Sequence, residues 1–159
     1  MMKNLIILFA ALAAAFASSG HAQTISGTAS VIDGDTIEIH GHRIRLSAID
    51  AIESRQPCIL ADGKYWNCGR DAAFALSDKI GRAPLACEVK DIDRYGRSVA
   101  VCDLDGEDIG AWMVENGWAV AYRRYGTEYV AAESRARAAG LGIWQSEFEM
   151  PWDWRKGQR

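Results

Sequence analysis

Basic charge is scarce in this chain: 18 Lys and Arg stand against 21 Asp and Glu, a net charge of −3. Bulk charge therefore gives no support for nucleic-acid binding, which usually shows as a basic domain. Histidine is nearly missing too. Beyond residue 22 only the neighbours His40 and His42 occur, and no Cys-x-x-Cys spacing is found, which argues against a zinc site. Proline is rare, three residues against 15 Gly, which excludes collagen-like sequence. A 25% charged fraction with 9% aromatics excludes a disordered chain. No internal repeat suggests a solenoid or propeller. After the first 22 residues no apolar run approaches the roughly 20 residues that a membrane helix needs.

Those first 22 residues stand apart. Lys3 gives a basic start, Leu5 to Ala17 is an unbroken apolar run, and Gly20-His21-Ala22 offers small residues for cleavage. The pattern is that of a secretory signal peptide cut after Ala22. It predicts an exported protein, periplasmic or secreted, with no stable membrane association after cleavage. Residues 23–159 then form one domain, since about 100–200 residues is the usual domain size. They carry 17 basic and 21 acidic residues, and 13 of the 17 are Arg. Arg presents a planar fork suited to phosphate and carboxylate, although genomic base composition accounts for the bias equally well.

Export permits disulfides. Cys87 and Cys102 flank Asp93-Arg94-Tyr95-Gly96. A hairpin turn centred between Arg94 and Tyr95 sets the two cysteines directly opposite each other. Cys58 and Cys68 flank a polar, Gly-containing loop. The pairs expected are Cys58–Cys68 and Cys87–Cys102.

Apolar periodicity sets the rest. Strands are predicted over 24–32, 36–40 and 43–49, with Asp33-Gly34-Asp35 breaking the first pair and Gly41 turning the second. Residues 50–66 read as a loop and 69–80 as a helix ended by Gly81. The 84–92 and 98–104 strands make the hairpin. Asp108 caps a short helix reaching Glu115, 118–122 is extended, and 127–139 is a second long helix. The tail is expected to pack through Trp144 and to be loose after Pro151. Three meander strands, a helix and a hairpin suit an α+β fold: a five-stranded OB-type Greek-key barrel with about three helices.

Asp35 and Asp50 both lie at the end of the strand pair away from Gly41, so they can converge at a barrel rim. Converging carboxylates suit a hard cation such as Ca²⁺ or Mg²⁺. Asp-Gly-Asp is equally an ordinary turn. Arg45 alternates with Ile44 and Leu46, and so faces away from them. Each of these features alone is commonplace.

Their combination is not. Asp-Gly-Asp-Thr from Asp33, then Arg45-x4-Asp50-x2-Glu53, then Asp93-Arg94-Tyr95-Gly96-Arg97 occur in order, ending in Leu141-Gly142-Ile143-Trp144. Together they resemble the staphylococcal nuclease (thermonuclease) family over about Ile25 to Trp144. The resemblance implies a calcium-dependent endonuclease acting on DNA, with RNA an open second substrate, and a monomer. It implies cleavage of the 5′ P–O bond, which leaves 3′-phosphate ends, and a preference for single-stranded or frayed substrate. It assigns the metal to Asp35, Asp50 and the Ala51 carbonyl, where the family commonly has Thr. It assigns catalysis to Arg45, Glu53 and Arg97, with Ile52 where Pro is common. Arg94 and Tyr95 match substrate phosphate contacts, Arg replacing a common Lys. Tyr122 and Tyr125 match tyrosines that border the nucleotide, at a spacing that differs by one residue. A non-catalytic nucleic-acid- or protein-binding barrel is the alternative. A phosphodiesterase for another exported polymer would use the same chemistry.

Overall fold

A computed structural model describes residues 23–158; the leader and its cleavage point lie outside the described residues. The main sheet is seven-stranded and runs β1-β8-β9-β4-β3-β2, with β10 added beside β9. Its strands are β1 (Thr24–Thr28), β2 (Ser30–Asp33), β3 (Thr36–Ile39), β4 (His42–Leu46), β8 (Pro84–Ile92), β9 (Ser98–Leu104) and β10 (Glu107–Asp108). The path begins on β1 and ends on β2, which only Ala29 separates. A single bent strand thus serves both ends, and the sheet curls on itself in OB fashion. Counting β1 and β2 as one recovers the five principal strands. All pairings are antiparallel except β4 with β9.

Isoleucines and leucines fill the interior because strand positions alternate faces. Ile37, Ile39, Ile44, Leu46 and Leu85 are all buried. Helix α1 (Cys68–Ile80) buries Ala72, Leu76 and Ile80. Helices α2 (Ile109–Glu115) and α3 (Val130–Ala138) close the other side. Asp108 caps α2 as expected, accepting from the Gly110 and Ala111 amides, and the Tyr129 hydroxyl donates to its second oxygen at 2.6 Å. Helix α3 starts at Val130, not at 127.

Three further readings need correction. The 43–49 strand is two: β4 ends at Leu46 and β5 (Ile49–Ala51) pairs instead with β11 (Ala119–Ala121). The break falls at Ala48, in the left-handed region at φ 57°. The 50–66 loop contains β6 (Cys58–Leu60) and β7 (Tyr65–Trp66), joined by β12 (Ser146–Glu147) in a small sheet. Strands this short carry no readable period. The tail is not loose: after a 3₁₀ turn (Gly142–Gln145) and β12, Pro151–Gly157 forms a fourth helix, α4.

This second unit has its own small core of Ile52, Cys58, Cys68, Val120 and Ile143, with Trp144, Phe148 and Trp152 packed against it. The Cys58–Cys68 bond staples it to the start of α1. The Cys87–Cys102 bond joins residues directly opposed across β8 and β9.

Candidate active site

The candidate site lies on the seam between the barrel and the second core, in a cleft of about 820 Å³. Sequence explains how its carboxylates reach it. Gly34 is required by close approach: a methyl there would come within 2.7 Å of the Ala51 Cβ. The tight passage lets Asp35 reach the Ala51 amide, which donates to its Oδ2 at 2.9 Å. Gly69 does the same for Glu53, since a methyl would meet the Glu53 carbonyl oxygen at 2.4 Å. Helix α1 can therefore start directly against the backbone that carries Glu53.

Arg45 joins the two aspartates. Its Nη1 donates to Asp35 Oδ1 at 3.0 Å and its Nη2 to Asp50 Oδ1 at 2.9 Å. Asp50 has a side chain of zero exposure. Burial pushes its carboxyl upward from the ordinary range, although Arg155 and Arg45 oppose this. The same two aspartates hold the Arg45 guanidinium above its ordinary pKa against the cost of burial. Asp33 accepts the Asp35 amide at 3.0 Å. Burial, with the charge of Asp35 beside it, pushes its pKa up to about 6.

The β8–β9 turn supplies the opposite wall. Arg97 donates from Nε to Asp93 Oδ2 at 2.7 Å, while Asp93 Oδ1 accepts the Tyr95 and Arg97 amides. These bonds outweigh burial and hold the Asp93 carboxyl low. Arg94 lies over the Tyr95 ring at 4.8 Å and donates to its hydroxyl. Tyr95 and Tyr125 are mostly exposed. Tyr122 meets Tyr125 edge-on at 4.9 Å, and Arg124 sits over the Tyr125 ring. Arg123 is instead turned toward Glu133, which also accepts the Ala121 amide.

Arg45, Glu53, Arg97, Asp35, Ala51, Arg94, Tyr95, Tyr122 and Tyr125 thus all border one cleft. Asp50 sits just behind its wall, sealed by two arginines. One of these was missed by sequence reasoning. Arg155 of α4 donates from Nη1 to Asp50 Oδ1 at 2.9 Å and to Glu53 Oε1 at 2.7 Å, and from Nη2 to Asp50 Oδ2 at 2.6 Å. Hydrogen bonds to both carboxylates outweigh burial and hold its pKa above the ordinary Arg range. Trp152, one turn earlier, stacks on Tyr122 at 5.2 Å with planes 5° apart. A signal for α4 existed: Pro151 at the first helical position, Asp153 in the first turn, and Arg155 and Lys156 in the last.

The donor set suits a hard divalent cation, because Asp35, Asp50, Glu53 and the Ala51 carbonyl offer only oxygen. Among the described residues no three acidic, His or Cys side chains converge on one empty point. The oxygens of Asp50 already face guanidinium groups, so positive charge stands where a cation would.

Comparison with known proteins agrees with this geometry. Residues 43–146 match a family model described as staphylococcal nuclease homologue. A Rhizobium meliloti (strain 1021) protein named succinoglycan biosynthesis protein ExoI is 41% identical over 134 residues, covering 82% of this chain and 70% of that protein. The micrococcal nuclease of Shigella flexneri is 32% identical over 143 residues, covering 79% of this chain and 76% of that protein. A probable staphylococcal-like nuclease of Oryza sativa subsp. japonica, CAN2, is 34% identical over 128 residues; these cover 79% of this chain but 32% of the rice protein. The chain belongs to the staphylococcal nuclease family.

Proposed function

We propose that the protein is an exported, monomeric, calcium-dependent endonuclease that hydrolyses phosphodiester bonds of DNA, with RNA as a second substrate. The observation that carries this reading is the single cleft bordered by Arg45, Glu53 and Arg97, with Asp35 and Asp50 joined at its base. A phosphodiester is anionic and repels nucleophiles. Arg45 and Arg97 each present a fork that can bond two phosphate oxygens and stabilise charge developing in the transition state. Arg97 is aimed through Nε by Asp93, which leaves both Nη groups for the phosphate. Glu53 orients the attacking water and takes its proton. Ca²⁺ held by Asp35, Asp50 and the Ala51 carbonyl would neutralise a non-bridging oxygen and so supply Lewis-acid help.

Substrate binding falls to local groups, since the chain is net acidic. Arg94 and Tyr95 contact phosphate, and the Tyr122 and Tyr125 rings border the bases; stacking of this kind is sequence-tolerant and worth about 1–3 kcal/mol per base. Binding should weaken steeply with salt.

The test is end-group analysis of digested single-stranded DNA. The proposal expects internal cuts that leave 3′-phosphate and 5′-hydroxyl ends. Binding without any cleavage would point to the non-catalytic barrel. A second reading is favoured by the relative named for succinoglycan biosynthesis: the same site acting on an exported polymer other than nucleic acid. Turnover of such a polymer with DNA and RNA left intact would select it.

A further inference from the structure

We infer that Arg155 is an internal counter-ion which competes with the divalent cation for Asp50 while also holding Glu53, so that helix α4 latches the site until the cation displaces it. This rests on the calcium reading above. Arg155 bonds both oxygens of Asp50 and one of Glu53. The Asp50 side chain has zero exposure, while that of Arg155 is 35% exposed. Arg155 therefore forms the outer cover of a sealed carboxylate, and access to Asp50 from the cleft requires it to withdraw.

Charge makes the two occupants exclusive. Asp33, Asp35, Asp50 and Glu53 with Arg45 and Arg155 total two negative charges when all are ionised. Withdrawal of Arg155 exposes one more, and an incoming divalent ion can take its place. A divalent ion added beside both guanidiniums would face strong repulsion at a few ångströms in a poorly screened site.

The latch is also built to open. Helix α4 has seven residues and follows the segment matched to the family model. So short a helix has little stability of its own. Beyond Arg155 it is held by buried Pro151, by Trp152 stacked on Tyr122, and by Gln56, which donates to the Glu149 carbonyl just ahead of it. Trp152 covers one face of Tyr122, a ring proposed to border a base. A base that stacks on that face would displace the same helix as the cation, and each would then assist the other.

The experiment is a calorimetric Ca²⁺ titration of the full exported protein and of Arg155→Met, with thermal melts and amide hydrogen exchange of 151–157, each with and without Ca²⁺. The latch expects Arg155→Met to bind Ca²⁺ at least about tenfold more tightly. Its Tm should be low without Ca²⁺, because buried Asp50 keeps only Arg45 of its two guanidinium partners, and should rise more with Ca²⁺ than that of the native protein. In the native protein Ca²⁺ should speed exchange in α4. Trp152→Ala loosens the helix without touching a carboxylate, and should also tighten Ca²⁺ binding if Arg155→Met does not fold. Equal or weaker Ca²⁺ binding in the folded variants overturns the latch, as does slower α4 exchange with Ca²⁺. Failure of every protein to bind Ca²⁺ overturns the calcium reading and the latch with it.

Discussion

Asp93 holds Arg97 by its Nε at 2.7 Å while the same carboxylate accepts two amides of the turn that carries both residues. The pair converts a flexible hairpin tip into a fixed mount for a guanidinium. If Arg97 acts as proposed, Asp93→Ala should lower kcat on single-stranded DNA by up to about 10²-fold, the scale on which misplacing a reacting group acts. KM should rise less than kcat falls, because Arg94 and Tyr95 keep their side chains although the Tyr95 amide loses its acceptor. Steady-state kinetics at saturating Ca²⁺ check this, and a pure KM effect would move Arg97 from catalysis to binding.

The two arginines proposed as catalytic, Arg45 and Arg97, are expected to separate under substitution by Lys. Lys keeps the charge but loses the fork. Arg97→Lys should cost about 10²–10³ in kcat with an unchanged melting temperature. Arg45→Lys should lose activity and also stability, since Arg45 alone joins Asp35 to Asp50 and both are buried. Leaving buried carboxylates incompletely paired costs about 3–5 kcal/mol at the upper end. Parallel kinetics and melts decide it.

Asp33 sets an expected pH dependence. Its pKa rises from 3.8 to about 6 on folding, through burial and the adjacent Asp35 charge. The native state therefore holds this proton more tightly than the unfolded chain. Stability falls as pH rises from about 4 to about 6, and the cost is present in full above that. Asp33→Asn keeps an acceptor for the Asp35 amide and removes the charge. Measured without added Ca²⁺, the variant should melt close to the native protein at pH 4 and about 3 °C or more above it at pH 7, the size of a ~1 kcal/mol change. A gap that does not change with pH would contradict this.

The parts of the site that were legible in the sequence are those fixed by local chemistry. Asp35 and Arg45 come from one hairpin whose ends the Gly41 turn aligns, and the register of another places Cys87 against Cys102, whereas Asp50 and Glu53 follow the break at Ala48 and are placed by the pairing of β5 with β11. What was not legible depends on tertiary partners. The strands at 58–60, 65–66 and 146–147 exist because they pair with each other, not through propensity. Helix α4 carries end signals, yet its seven residues are too few for an apolar period. Its role comes from a bond spanning 105 residues, from Arg155 to Asp50, and no local pattern announces such a contact.

In the proposed function, Glu53 and the carboxylates beside it form a calcium-dependent hydrolytic site. Its most direct test incubates purified protein with single-stranded DNA in Ca²⁺, then with a calcium chelator, alongside Glu53→Ala. Cleavage should stop on chelation and fall by about 10²-fold or more in the variant, the usual worth of general-base help. Cleavage that survives chelation, or a Glu53→Ala protein as active as the native one, would contradict it.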